Sequence, residues 1–271
     1  MPEGDTIHKL AGALRPWLVG RRLRQGRVAA QPTLALTGRT VTAVGVLGKH
    51  LFIDLQDGLV LRSHLGLHGT WHRYGPGEPW LKPARHASLV LETEQDVLVC
   101  FHAREVELLE GHAVRAFELR RRLGPDVVAA APAAETLVRR ARSILDPGAP
   151  LIDVLLEQRV ASGIGNVYKS EVLFLERLHP LTAWTHLDPR SMASLYATAH
   201  ELLSANLGGG PRVTRAIDDG AGRLWVYRRG GQPCLECTTP IESARMGRGL
   251  RSCYWCPRCQ PETAAGESPP T

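Results

Sequence analysis

Two pairs of closely spaced cysteines constrain this 271-residue chain more than any other feature. Two residues separate Cys234 from Cys237 and Cys256 from Cys259, and 18 residues lie between the two pairs. Such spacing can place four thiolates at the corners of a tetrahedron, the geometry that Zn²⁺ prefers. Because four cysteines leave no open coordination position, we expect one structural zinc ion and no other cofactor.

The stretch between the two cysteine pairs is short and predicts a β-hairpin zinc ribbon. Arg245, Arg248 and Arg251 lie on it, and a rigid hairpin can hold an arginine towards a phosphate. The alternative is that these arginines are only solvated surface. Cys253 could pair with Cys256 only by overlapping the second cysteine pair. We therefore interpret Cys253 as a bystander, with a ligand role as the alternative.

The charge of the chain indicates a polyanionic partner. The formal net charge is +6, and nine arginines face four acids between residues 208 and 260. In a chain of this kind the favoured partner is nucleic acid, although a merely basic surface remains an alternative. No apolar run approaches the roughly 18 residues of a membrane span, and no signal peptide is evident. We expect a cytoplasmic, monomeric protein that has no membrane partner.

Periodicity predicts an α+β multidomain chain. Short alternating runs over 1–122 predict a β-sandwich preceded by one amphipathic helix, with Ile7 and Leu14 on one face and Asp5 or Thr6 as its cap. A linker is expected over 123–134, helical periodicity follows over 135–222, and the ribbon occupies 223–260. Residues 224–229 are strand-like, and the polar tail 261–271 is expected to be disordered.

The amino terminus can carry a nucleophile. Pro2 follows Met1, and a small second residue permits removal of the methionine, which would leave a secondary amine. Such an amine attacks electrophilic carbon once its proton is removed, and the neighbouring Glu3 can move protons. Taken alone this signal is weak, since many chains begin in the same way.

The chain carries an ordered set of motifs: MPEG at its start, GKHL at 48–51, HLGLHG at 64–69, GIGNVYKSEVLF at 163–174 and WCPRCQ near its end. This set resembles the family of formamidopyrimidine-DNA glycosylase and endonuclease VIII, and most of all the actinobacterial type of the endonuclease VIII branch. The resemblance covers nearly the whole chain. It implies a helix–two-turn–helix motif in the helical part and, as partner, double-stranded DNA containing damaged bases or abasic sites.

The resemblance also implies an activity and catalytic residues. The activity is that of a bifunctional DNA glycosylase and abasic-site lyase of base excision repair. Pro2 would form a Schiff base at C1′, Glu3 would act as general acid and base, and the strand would be cut by β,δ-elimination. Lys49 would be the hairpin lysine that contacts phosphate and assists catalysis, with an ordinary surface lysine as the alternative.

The same resemblance implies DNA contacts in separate segments. His64, Asn166 and Arg251 would bind phosphates, and a helix amino terminus at Asn166 favours anions on physical grounds. An enzyme that flips a base out of the stack must fill the gap. Leu67 is the predicted filler, with burial in the sheet as the alternative.

Three departures from the family pattern bear on the preferred lesion. Thr6 stands where many relatives have glutamate. In residues 101–108, Arg104 corresponds to an arginine of relatives specialised for 8-oxoguanine, but the phenylalanine and glycine that follow it there are missing. Residues 208–222 are also short for the base-capping loop of those relatives. We therefore favour oxidised pyrimidines and abasic sites. Two other function classes stay open: a non-catalytic protein that recognises damaged or bent DNA, and a zinc-ribbon protein that binds RNA or another protein.

Overall fold

The computed structural model describes residues 2–30, 36–109 and 122–262, and contacts divide the chain into two compact units, Met1–Arg122 and Leu123–Thr271. Most of the tail that is expected to be disordered (263–271) lies outside the described residues. In the described part of the chain no helix is both long and apolar enough to cross a membrane.

The first unit begins with helix α1 (Gly4–Leu18), followed by two four-stranded antiparallel sheets. The strands are β1 (Gln25–Val28), β2 (Val41–Leu47), β3 (His50–Leu55), β4 (Val60–His64), β5 (Thr70–Tyr74), β6 (Ala87–Glu92), β7 (Val97–Phe101) and β8 (Glu105–Leu109). One sheet has the order β1-β6-β7-β5 and the other β2-β3-β4-β8.

The core of this unit is formed by α1 and the inner faces of both sheets. Ile7 and Leu14 of α1 are buried in one cluster with Leu51 and Ile53 of β3 and Leu98 of β7. Strand β6 alternates buried and half-buried residues, whereas β7 is buried along its whole length. The helix packed on two sheets confirms the predicted helix and β-sandwich. The predicted cap of α1 is wrong.

Helix α1 begins earlier than expected, because Asp5 and Thr6 already lie inside its first turn. Glu3 has the extended backbone of the N-cap position, and its carbonyl oxygen accepts the backbone N–H of Ile7 at 3.1 Å. The physical reason is burial, since Glu3, Gly4 and Asp5 are all packed inside the unit.

The second unit is built from helices and a terminal hairpin. Its elements are α2 (Ala134–Ile144), α3 (Leu151–Leu156), α4 (Asn166–Leu175), α5 (Pro189–Ala205), β9 (Glu242–Met246) and β10 (Arg251–Trp255). Strands β9 and β10 pair antiparallel, which confirms the hairpin. Asp188 caps α5 by accepting the backbone N–H of Ser191, and Pro189 occupies the first turn, where its missing N–H costs nothing.

The prediction of a linker over 123–134 is corrected by the structure, in which this segment is packed. Val127 and Val128 are buried in the helical core, and the backbone N–H of Val127 donates to the carbonyl of Ser162. The glycine, proline and alanine composition indicated a linker, but these apolar residues pack and their backbone is hydrogen-bonded. The segment belongs to the second unit.

The prediction of a strand over 224–229 is also wrong. The backbone N–H groups of Trp225, Val226 and Tyr227 donate to one side chain, the buried carboxylate of Glu171, at 2.7 to 2.9 Å. A carboxylate therefore takes the place of a neighbouring strand, and the segment forms bends and turns.

Candidate functional site

The amino terminus of α1 holds Pro2 and Glu3. Glu3 is completely buried, and Pro2 is half-buried directly beside it. The apolar face of α1 packs on the sandwich core and so fixes the position of its first turn. The positive end of the helix dipole favours a carboxylate at this position. The residues predicted to supply the nucleophile and the proton-transferring group thus occupy adjacent positions.

Lys49 lies in the two-residue turn between β2 and β3. Leu47 and His50 pair across this turn, and Gly48 has a φ of 58°, the left-handed region that such tight hairpins require. The hairpin therefore fixes where the backbone of Lys49 lies. Its side chain is half-buried at the end of the sheet.

His64 lies beside this turn, in a row of residues that crosses three strands. His50 of β3 pairs with His64 of β4, which pairs with Glu105 of β8. The centroids of the two imidazole rings lie 4.9 Å apart. Since directly paired residues point to the same face, all three side chains share one face of the sheet.

The side chain of Arg62 connects the members of this row. Its guanidinium donates to His50 Nδ1 at 3.0 Å, to Glu105 Oε2 at 2.8 Å and to Glu107 Oε2 at 3.2 Å. Arg62 is buried, and the two carboxylates balance its charge. Sequence reasoning missed both His50 and Arg62. The sequence does contain a sign of the row: Arg62 and His64 are two positions apart in one strand, as are His50 and Phe52, and residues at this spacing share a face of the sheet.

The pKa values of both histidines in the row are lowered. Burial, together with His64 and Arg62, lowers the pKa of His50 from its ordinary value of 6.5 to about 3. Burial is also the main cause that lowers the pKa of His64, against the opposing effect of Glu105. Because Arg62 can only donate, His50 Nδ1 accepts, and its proton lies on Nε2.

Leu67 is at the surface, in the turn between β4 and β5. Its side chain is 56% exposed, whereas the neighbouring Leu65 is buried in the core. Burial of Leu67 in the sheet, the alternative, is therefore excluded. Gly66 packs closely against the side chain of Arg104, the residue of the 101–108 segment that most resembles the stack-filling loop of relatives.

In the second unit, Asn166 is the first residue of α4. Gly165 holds the N-cap position with extended backbone, and its carbonyl accepts the N–H of Lys169 at 2.9 Å. Asn166 is half-buried, and its carbonyl accepts the Ser170 hydroxyl. A helix amino terminus carries the positive end of the helix dipole, which gives it the ability to bind an anion.

The four paired cysteines converge in space. Their sulfur atoms all lie within 4.8 Å of one another, with 3.4 Å between Cys237 and Cys256 and 3.9 Å between Cys234 and Cys259. A tetrahedral zinc ion with bonds of about 2.3 Å needs sulfur atoms about 3.8 Å apart. The donor set therefore fits such an ion. Cys253 lies outside the cluster, buried in the helical core, as the sequence predicted.

The hairpin that carries the arginines is fixed to the helices. Lys169 of α4, completely buried, donates through Nζ to the carbonyl of Ser252 at 2.8 Å. The backbone N–H of Arg248 donates to both carboxylate oxygens of Asp153 in α3, at 3.1 Å each. Sequence reasoning missed Lys169 and Asp153, because neither lies near the hairpin in the chain.

Glu171 is a second buried residue of α4 that the sequence did not single out. Besides the three backbone N–H groups described above, its carboxylate accepts a short hydrogen bond from the Thr214 hydroxyl. One residue thus joins both ends of the segment that leads from α5 to the ribbon. The indole N–H of Trp225 adds a bond to the Thr214 carbonyl at 3.1 Å.

Comparison with known proteins gives two family-model matches. The formamidopyrimidine-DNA glycosylase N-terminal domain matches residues 1–109, and the H2TH domain of the same glycosylase matches residues 123–216. "Probable endonuclease 8 2" of Streptomyces coelicolor is 37% identical over 277 residues, covering 99% of this chain and 96% of the relative. "DNA-(apurinic or apyrimidinic site) lyase Nei2" of Mycolicibacterium smegmatis is 36% identical over 264 residues, covering 96% and 99%.

Solved structures with a similar fold include wild-type Lactococcus lactis Fpg in complex with DNA containing N7-benzyl-Fapy-dG. The TM-score is 0.80 with 23% sequence identity, and the match covers 96% of this chain and all of that one. At this identity the likeness establishes the fold, which agrees with the predicted fold class.

Proposed function

The chain belongs to the family of formamidopyrimidine-DNA glycosylase and endonuclease 8, and we propose that Pro2 and Glu3 form its reaction centre. It is accordingly a bifunctional DNA glycosylase and abasic-site lyase of base excision repair. The observation that carries the proposed centre is the position of Glu3, fully buried at the start of α1 beside Pro2.

In the proposed reaction the lone pair of the Pro2 nitrogen forms a bond to C1′ of the damaged nucleotide. The bond from C1′ to the base breaks, and the departing base takes up the proton that the Pro2 nitrogen loses. Glu3 donates a proton to the ring oxygen O4′, so that the sugar opens and a Schiff base remains. Loss of a C2′ proton expels the 3′ phosphate, and a second elimination expels the 5′ phosphate. Water then releases the sugar remnant and restores the amine.

This chemistry requires that Met1 be removed, because an amide nitrogen has no available lone pair. The adjacent proline is compatible with that removal, and the secondary amine it leaves is a good nucleophile once deprotonated. Active protein should therefore have the mass of the chain without Met1.

We propose that four residues bind the DNA backbone: Lys49 and His64 in the first unit, and Asn166 and Arg251 in the second. Lys49 also assists catalysis. The exposure of Leu67 supports its role as the filler of the gap that a flipped base leaves. Lys49 and Arg251 carry positive charges, so their phosphate contacts would release counterions.

We propose that Cys234, Cys237, Cys256 and Cys259 hold one structural zinc ion. Four thiolates leave no position for substrate, so the metal stabilises the ribbon and takes no part in the reaction. The ribbon has only a small apolar cluster, which includes Val226 and Ile241 and is shared with Phe174 of α4. Metal binding is therefore expected to supply much of its folding free energy.

The proposed substrate is double-stranded DNA with an oxidised pyrimidine or an abasic site. The departures at Thr6, at 101–108 and at 208–222 support this preference over 8-oxoguanine. We expect the enzyme to act as a monomer in the bacterial cytoplasm, where its substrate is located.

The proposal is tested by trapping the Schiff base with borohydride. The chain with a carboxyl-terminal tag is incubated with a duplex that contains one abasic site, and borohydride reduces the iminium to a stable amine. A covalent protein–DNA adduct is expected on a denaturing gel. The matched control carries its tag at the amino terminus, which converts the Pro2 nitrogen into an amide, and should give no adduct.

Two results would contradict the proposal. An adduct of equal yield with the amino-terminal tag would place the nucleophile elsewhere. Tight binding of the duplex without any adduct would favour the second function class, a protein that recognises damaged DNA without reacting with it.

A further inference from the structure

His50 presents a free hydrogen-bond donor beside two of the residues proposed to bind DNA. It directly follows Lys49, and it pairs with His64 on the neighbouring strand β4. Its Nδ1 atom accepts an N–H of Arg62 at 3.0 Å, so its proton lies on the other ring nitrogen, Nε2. In the described part of the chain this Nε2 has no hydrogen-bond partner, and it is not one of the buried atoms that lack a partner. The Nε2–H donor is therefore open to solvent.

The neighbours of His50 fix the orientation of its ring. The buried guanidinium of Arg62 holds Nδ1, and the centroid of the buried Phe52 ring lies 6.4 Å from that of His50. Because the two nitrogens of an imidazole point in different directions, Nε2 is aimed away from Arg62. A ligand that binds Nε2 therefore meets a donor that is already oriented, and little side-chain entropy is lost on binding.

Arg62 is occupied by its own partners and acts through His50. Besides His50, its guanidinium donates to the carboxylates of Glu105 and Glu107, at 2.8 and 3.2 Å. These two acids would repel a phosphate if they were unpaired, and the buried positive charge of Arg62 offsets them. Arg62 thus makes the sheet face beside His50 accessible to an anion and keeps the His50 proton on the outward nitrogen.

His64 offers a second ring nitrogen at the same place. The centroids of the His50 and His64 rings lie 4.9 Å apart, with their planes tilted by 36°. Nδ1 of His64 is buried and has no hydrogen-bond partner among the described residues, so Nε2 is the nitrogen that can reach a ligand. A backbone phosphate has two free oxygens that accept hydrogen bonds, and two rings this close together can each contact one of them.

We propose that His50 is a further DNA-binding residue, whose Nε2–H donates to the same backbone phosphate as His64, and that Arg62 is the positioning residue that keeps the proton on that nitrogen. This inference rests on the proposed function, and in particular on His64 as a phosphate contact. Burial is the main cause that lowers the pKa of His50 to about 3, so at neutral pH the ring binds as an uncharged donor. The positive charge of the site comes from the adjacent Lys49.

The test uses two substitutions that separate the two ring nitrogens of His50. In His50→Asn the side-chain carbonyl can occupy the position of Nδ1 and accept the bond from Arg62, but nothing replaces the Nε2–H. In His50→Gln the longer side chain can place an amide N–H at the position of Nε2. Binding is measured at pH 8 by fluorescence anisotropy, with a duplex that carries a tetrahydrofuran abasic analogue. The control is His186→Asn, which removes an exposed histidine of the second unit.

For His50→Asn we expect Kd to rise about tenfold at fixed salt, which corresponds to about 1.4 kcal/mol. His50→Gln should stay within about threefold of the unchanged chain, and His186→Asn should bind normally. The slope of log Kd against log salt should be unchanged in His50→Asn, because an uncharged donor neutralises no phosphate. The melting temperature of His50→Asn at pH 8 should also be unchanged, because Arg62 keeps its acceptor.

The shared phosphate is identified with duplexes in which one phosphate at a time is replaced by an uncharged methylphosphonate. A position at which the unchanged chain loses affinity, but His50→Asn loses little more, marks the phosphate that His50 contacts. We expect His64→Asn to become insensitive to replacement at the same position.

Three results would overturn the inference. His50→Asn could bind as tightly as the unchanged chain, or His50→Gln could lose more affinity than His50→Asn, which would mean that His50 serves only as the acceptor for Arg62. The methylphosphonate positions could also differ between the His50 and His64 variants. Failure of the proposed function is distinguishable, because then the unchanged chain itself would form no borohydride adduct, whereas the adduct still forms if only this inference fails.

Discussion

Replacing His50 with asparagine should make the first unit less sensitive to acid. In the folded chain His50 accepts a hydrogen bond from the buried Arg62 and is surrounded by Lys49, His64 and Glu105. The carbonyl of an asparagine can occupy the position of Nδ1 and accept the same bond, but it does not titrate. The substitution therefore removes a proton-binding site while leaving the Arg62 contact in place.

The size of the effect follows from the pKa of His50. Its folded value is about 3, against about 6.5 in an unfolded chain, so below pH 6.5 the unfolded state binds a proton that the folded state excludes. Stability is therefore lost as pH falls from about 6.5 towards 3. At about 1.36 kcal/mol per pH unit, His50 lowers the free energy of unfolding by close to zero at pH 8 and by about 2 kcal/mol at pH 5.

The measurement is urea unfolding of both chains at pH 8 and pH 5, followed by tryptophan fluorescence. The unchanged chain should lose about 2 kcal/mol more than His50→Asn between the two pH values. His68→Asn, which removes an exposed histidine outside the row, is the matched control. Equal losses in His50→Asn and the unchanged chain would refute the argument, because they would mean that folded His50 takes up a proton as readily as an unfolded one.

Three other predictions concern the reaction centre and the ribbon. Glu3→Gln should abolish base excision and leave DNA affinity within about threefold, since proton transfer acts in the transition state; equal loss of both would indicate a structural role. Arg251→Ala should lower the slope of log K against log salt by about 0.9, while the control Arg248→Ala should not. A lower slope for Arg248→Ala alone would mean that Arg248, and not Arg251, contacts the phosphate. Cys256→Ser should release zinc, measured with a chromogenic chelator. If only Cys253→Ser releases zinc, then Cys253 is the ligand and Cys256 is not.

Much of the fold and of the site could be predicted because the signals are local. The spacing of Cys234 from Cys237 is set by ligand geometry, and the period of Ile7 and Leu14 follows from one helical face. The GKHL and GIGN motifs locate Lys49 and Asn166 by family resemblance. In each case the residues that matter lie within a few positions of one another in the chain.

The row beside Lys49 could not be predicted, because it depends on strand register. Alternation indicates that His50 and Phe52 share a face, but it does not tell which strands are neighbours. Arg62 reaches Glu105 only because β4 pairs with β8, which lies more than 40 residues further along the chain. A shift of one residue in either pairing would move the carboxylates to the opposite face.

The conformation of residues 224–229 could not be predicted either, because it also depends on a residue that is remote in the chain. Their composition is that of a strand, and a strand is expected because backbone N–H groups buried in a protein must find acceptors. Here the acceptor is a side chain: Glu171, 54 residues before Trp225, supplies both carboxylate oxygens and also binds Thr214. A charged side chain buried with four donors satisfies its own hydrogen-bonding capacity and that of the segment at once. The sequence contains both partners, but only the packing of α4 brings them together, so the segment that leads into the ribbon is fixed by a helix that is remote in the chain.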